Sequence, residues 1–158
     1  MSPRHLLPLM MMACATAEDT AVDCFDEEPS ALAGTGVLTF EELQEGDTVF
    51  MVTGAQGGEH IYGSLRLWNT DEIVIVHYTI TRNDDGSVIS DQTYRVAMGS
   101  EAPCGHLYTG MYGYLGFTSD YTRSLKNVSV TLTLEATDSE GRAASDSVAV
   151  IVGDEDAP

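Results

Sequence analysis

The last third of the chain carries a clear period-2 pattern. In "NVSVTLTLEA", Val128, Val130, Leu132, Leu134 and Ala136 fall on one face, and Ser129, Thr131, Thr133 and Glu135 on the other. Strict alternation of this kind predicts a half-buried β-strand. "SDSVAVIV" follows after the turn Asp138-Ser139-Glu140-Gly141 and sets Val148, Val150 and Val152 inward, so a C-terminal hairpin is expected. Upstream, "EIVIVHYTITR" and "SVISDQTYRVA" flank Asn83-Asp84-Asp85-Gly86, whose residue types tolerate the positive φ of a tight turn, and a longer hairpin follows. "DTVFMVTG" and "HIYGSLRLW" read as strands on either side of Ala55–Glu59, and "GVLTF" as a short first strand. Seven or so short strands, with no helix beyond about one turn, predict an all-β chain folded as an antiparallel β-sandwich.

Composition narrows the picture. Of 158 residues, 43% are hydrophobic, enough for one core when arranged in alternating runs. Seven basic residues against 25 acidic ones give a formal charge of -18, a field that repels phosphate backbones, so no nucleic-acid partner is expected. The first 13 residues hold Arg4 and His5 followed by the apolar run Leu6–Met12 and the small Ala13, the layout of a signal peptide and too short for a transmembrane helix. Residues 14–30 are rich in Ala, Thr, Asp and Glu and read as an acidic flexible tether. The sandwich is expected over residues 31–153 and a disordered tail over 154–158.

"Met11-Met12-Ala13-Cys14" resembles the lipobox of bacterial lipoproteins, in which the cysteine is acylated and becomes the mature N-terminus. The resemblance implies a lipid-anchored protein of the cell envelope whose membrane partner is reached through Cys14. Ala15, in place of an acidic residue, points to the outer membrane. An ordinary secretory signal cut near Ala15 or Ala17 is the alternative. Three cysteines leave one over in an exported protein; lipidation of Cys14 would remove the odd thiol and leave Cys24 and Cys104 to pair, the alternative being two separate thiols. "LTLEATDSEGRAASDSVAVIV" is similar to the closing strand pair of bacterial immunoglobulin-like domains, which implies that fold and a binding, spacing or adhesive role. The Cys…Trp…Cys spacing of antibody domains is absent.

Candidate chemistry is sparse. "GAQGGEH" lacks the Lys and the following helix that a phosphate-cradling loop needs. His60, His77 and His106 form no HxH or HExxH pair, and with Met51, Met98 or Met111 they are only a weak transition-metal set. "LEATDSEG" is similar to a cadherin-type calcium motif with Glu140 inserted before Gly141, so calcium or transition-metal binding stands as the alternative function. No G-x-S-x-G elbow is present, and neither an enzymatic activity nor a cofactor is expected. The most distinctive stretch is "HLYTGMYGYLGFTSDYT". Regular alternation sets Tyr108, Tyr112 and Tyr114 on one side and Leu107, Met111, Leu115 and Phe117 on the other, with Trp68 extending the tyrosine side from a neighbouring strand. Such a row suits a protein or polysaccharide partner, because tyrosine combines an apolar face with a polar tip. The expectation is therefore a non-catalytic binding or structural module.

Overall fold

The computed structural model describes residues 23–154. Ten strands account for most of it: β1 (Ser30–Thr35), β2 (Glu41–Glu42), β3 (Thr48–Thr53), β4 (Gly58–Trp68), β5 (Ile73–Arg82), β6 (Val88–Ala97), β7 (Gly99–Ala102), β8 (Gly105–Phe117), β9 (Ser129–Asp138) and β10 (Ala143–Asp154). The helix α1 (Asp120–Ser124) is a single turn, started by a capping box in which Ser119 and Thr122 exchange side-chain and backbone hydrogen bonds. The fold is all-β, as the alternation predicts.

Two sheets face each other. One runs β2-β1-β4-β8-β7 and the other β10-β9-β5-β6. The two expected hairpins are β9–β10 and β5–β6. Val130, Leu132, Leu134 and Ala136 of β9 and Val150 and Val152 of β10 are buried on the inner face, where the alternation puts them. They meet Ile61, Leu65 and Leu67 of β4 and Met111 of β8 from the other layer in one continuous core. Tyr78 of β5 crosses the gap, its hydroxyl turned to the Ile61 carbonyl oxygen.

The sandwich is not purely antiparallel. β3 pairs in parallel with β10 through Thr48–Met51 and then antiparallel with β4 through Val52 and Thr53. One strand thus closes the edges of both sheets on that side, which removes an unpaired row of N–H and C=O groups. The first strand also differs from expectation. β1 is "SALAGT", while "GVLTF" is a loop that turns at Gly36, φ 99°, and leaves Leu38 91% exposed. The strand is held instead by pairing with β4 and by Ala33 N–H, which donates to the Asp146 carboxylate of β10 at 2.7 Å.

Within the expected acidic tether, Asp23–Pro29 lies against the domain. Cys24 and Cys104 are joined in a disulfide. Arg142 donates to the Glu27 carbonyl and stacks over Phe25 at 4.7 Å, and the Asn69 amide donates to the Glu28 carbonyl. Cys14, the signal peptide and the tail beyond Asp154 lie outside the described residues.

Candidate functional site

The long pair β4–β8 builds the main candidate surface. Two irregularities in its register decide which β8 side chains reach the outer face. Gly63 pairs with Met111 and Leu65 with Tyr108, so Ser64 of β4 lies opposite two residues of β8, Thr109 and Gly110. The extra residue is accommodated at Gly110, whose φ of 77° suits glycine. As a result Tyr108 shares the face of Leu65 and packs half-buried on the core, and it leaves the tyrosine row expected from unbroken alternation. The second irregularity lies at Leu115: His60 pairs with Tyr114, but Glu59 pairs with Gly116 and Gly58 with Phe117. Phe117 is thereby turned to the same outer side as Tyr112 and Tyr114, where it is 67% exposed, whereas regular alternation set it on the opposite side.

Trp68 does not join this surface either. It pairs with Gly105 at the other end of β4, six residues beyond Tyr62, or about 20 Å along the strand. There it lines a hollow with Asp26, Glu27 and Pro103 beside the disulfide.

What β4 and β8 do bring together is an aromatic cluster. The His60 ring meets Tyr62 and Tyr112 edge-on at 4.9 Å each, and Tyr62 and Tyr112 are 5.2 Å apart. Tyr114 and Phe117 stand perpendicular at 6.3 Å. The rings of His60, Tyr112, Tyr114 and Phe117 line an open concavity of about 580 Å³ together with the turn residues Gly54–Gln56 and Gly58. The turn is closed by Gly57 N–H to the Gly54 carbonyl and Gly54 N–H to the Gly58 carbonyl, and Thr118 N–H ties it to β8 by donating to the Gly57 carbonyl. Gly58 is required by proximity: a Cβ there would stand 2.8 Å from the Tyr114 ring, which lies across the backbone.

None of the residues lining the concavity is Asp, Glu, Lys or Arg. The adjacent carboxylate, Glu59, sits on the inner side of β4, buried and accepting from the hydroxyls of Thr53 and Thr118. His60 is 6% exposed, and its Nε2 has no hydrogen-bond partner among the described residues. A buried polar atom left in that state costs about 1–3 kcal/mol.

The other histidines are elsewhere. His106 Nε2–H donates to the Thr70 carbonyl at 3.1 Å near the disulfide end. His77 lies on the outer face of the opposite sheet, between Asp91 at 2.6 Å and Glu135 at 3.3 Å. Met98 and Met111 are in the core. Among the described residues no three His, Cys, Asp or Glu side chains group as metal ligands. In the calcium-like string Asp138 is buried and accepts from the backbone N–H groups of Asp71, Glu140 and Arg142, which makes it the brace of the β9–β10 turn.

The His77 bridge gives a first test. Its hydrogen bond to Asp91, with a smaller one to Glu135, holds the imidazole pKa above the ordinary histidine value. A raised folded-state pKa stabilises the fold fully below about pH 6.5 and loses that contribution as pH rises through the folded value. In an NMR titration His77 is expected to titrate above the ordinary value in the native chain and to fall back toward it in Asp91→Asn. Identical midpoints in the two proteins would mean that the bridge does not form in solution.

No family model matches the chain, and no curated protein does. Among solved structures it is similar to a β-glucuronidase from glycoside hydrolase family 2, at 14% identity and TM-score 0.45, covering 76% of this chain and 12% of that one. It is also similar to the CooA pilin subunit from enterotoxigenic Escherichia coli, at 11% identity and TM-score 0.36 over 78% and 99% of the two chains. A third likeness is to the N-terminal domain of PorA, at 10% identity and TM-score 0.32 over 77% and 96%. The chain spans about one-eighth of the glucuronidase. Values this low carry neither a shared family nor a shared activity.

Proposed function

We propose that the chain is an exported lipoprotein, anchored to the outer membrane through Cys14, whose β-sandwich acts as a non-catalytic binding module of the cell envelope. The observation that carries the binding part is the open concavity under Tyr112, Tyr114 and Phe117. It offers exposed aromatic faces, with one imidazole and no Ser, Thr, Cys, Asp, Glu or Lys among the residues that line it. A base without a nucleophile or an acidic partner is a poor start for hydrolysis, whereas aromatic rings with polar tips are suited to recognition. The Cys24–Cys104 disulfide supports export, since such bonds persist in oxidising compartments.

Two measurements test the two halves. In a bacterial host the native chain should fractionate with membranes and carry acyl chains by intact mass, and Cys14→Ser should move to the soluble fraction. Native protein that is unacylated and soluble would sink the anchor. For the contact face, a photocrosslinking residue at position 117 should give envelope adducts that one at position 75, on the outer face of the other sheet, does not. Equal adducts from both positions would remove the face from the argument.

A further inference from the structure

The aromatic concavity sorts its ligands by charge and by hydrogen bonding, and we infer that it takes a neutral oligosaccharide. The inference rests on the reading of this face as the contact surface. Three observations lead to it. The lining has no charged side chain, and Glu59, the carboxylate next to it in sequence, is spent on Thr53 and Thr118 on the inner side of β4. An ionic ligand would therefore be desolvated there without a counter-charge. An anionic one would also meet the field of a chain with formal charge -18.

The Tyr112, Tyr114 and Phe117 rings present broad apolar faces at 51%, 42% and 67% exposure. A pyranose ring has the matching form, an apolar face of C–H groups with a rim of hydroxyls. The concavity volume falls within the range of small-molecule sites, and its open shape admits a chain of sugars passing through.

The third observation separates a sugar from a purely apolar occupant. The Gln56 amide and the Tyr112 and Tyr114 hydroxyls stand in the lining beside the rings and suit a rim of sugar hydroxyls that both donate and accept. His60 lines the floor, but its Nε2 is shut off from solvent and takes no part in the ligand contacts. The geometry thus assigns the exposed rings to stacking and these polar groups to the hydroxyl rim.

The test uses the full chain in detergent, titrated by calorimetry with neutral oligosaccharides of glucose, galactose, mannose and N-acetylglucosamine. An oligogalacturonate serves as the anionic control and tetramethylammonium as the cationic one. Saturable binding of a neutral oligosaccharide is expected, weakened about tenfold in Tyr114→Ala and in Phe117→Ala, whose side chains are exposed. Gln56→Ala removes the side-chain amide of the lining at an exposed turn position. It should weaken binding several-fold while leaving Tm unchanged, a split that loss of packing would not produce.

Preferential binding of either control, or no neutral oligosaccharide bound at millimolar concentration, overturns the ligand class. Unchanged affinity in Gln56→Ala overturns the role of the amide. If no sugar binds but position 117 still gives specific crosslinks, to a protein for example, the sugar assignment falls and the contact face stands. If the crosslinks are also lost, both fall.

Discussion

Replacing Cys24 and Cys104 together by alanine is expected to lower the unfolding free energy by about 3–4 kcal/mol and Tm by about 10–15 °C. The two residues are 80 positions apart, so the bond closes a long loop in the unfolded chain and removes much of its freedom. In the folded state it fastens Asp23–Pro29 to the turn between β7 and β8. That segment keeps its other ties, through Arg142 to Glu27 and Asn69 to Glu28, so the expected loss is mainly in the unfolded chain. Cys104 adds a second handle because its φ is 64°. An alanine there bears the left-handed penalty of about 1–2 kcal/mol, and a glycine does not. Cys24→Ala/Cys104→Gly should accordingly be more stable than Cys24→Ala/Cys104→Ala by about 1 kcal/mol, after allowance for the greater freedom of unfolded glycine. Denaturant unfolding of the three proteins decides the matter. A loss below about 1 kcal/mol in the double alanine variant would mean that the disulfide does not constrain the unfolded chain as its span requires.

The parts of the fold that were legible in the sequence are those where one face is buried and the other solvated without interruption. β9 and β10 obey the period-2 rule because their inner residues all meet the opposite layer. β5 does so as well, with Ile73 and Ile75 left exposed beside His77 on the outer face. Long-range pairing erased the pattern elsewhere. β3 serves two sheets within six residues, so its burial follows neither, and no local signal announces a parallel partner just over a hundred residues away. β1 reads weakly because its inner residue is Ala33. "GVLTF" looks more like a strand but is not paired as one; its Gly36 and Val37 carbonyls accept instead from Gly110 N–H and the Thr109 hydroxyl of β8.

The candidate site shows the same limit more sharply. Strict alternation along β8 counts every residue, and two register irregularities each displace the count by one. The first takes Tyr108 into the core, and the second brings Phe117 out. Gly110 and Gly116, with φ of 77° and 118°, are the sequence signal for both, since a glycine inside a strand often marks a bulge. Taking them as interruptions would have divided "HLYTGMYGYLGF" into three registers and joined Tyr112 and Tyr114 to Phe117. His60 carried no such signal. Its place in the site depends on pairing with Tyr114 and on the rings of Tyr62 and Tyr112, which come from the fold.

Tyr78 holds the interior of the site's own strands in place, and its removal should have the largest effect of any single core substitution considered. The ring is fully buried and lies against Gly63 of β4 and Gly113 of β8, where a Cβ would stand 2.8 and 2.9 Å from its carbon atoms. Those glycines leave space that the tyrosine fills across the two layers. Tyr78→Ala would open a cavity between the sheets at a cost of about 3–5 kcal/mol, enough to threaten folding at 37 °C. Tyr78→Phe is expected to cost less than about 1 kcal/mol, because the hydroxyl is 3.5 Å from the Ile61 carbonyl oxygen and that hydrogen bond is weak. Gly113→Ala approaches the same contact from the other side: its methyl would also clash with Ile80 Cδ1, and overpacking should cost about 1–3 kcal/mol. In a Tyr78→Leu background the Gly113→Ala penalty should shrink, since part of the clash is gone. Urea unfolding of the single and double variants measures the coupling. A Gly113→Ala penalty that is the same in both backgrounds would show that Ile80 and the β4 backbone, and not the Tyr78 ring, set the spacing beneath the aromatic face.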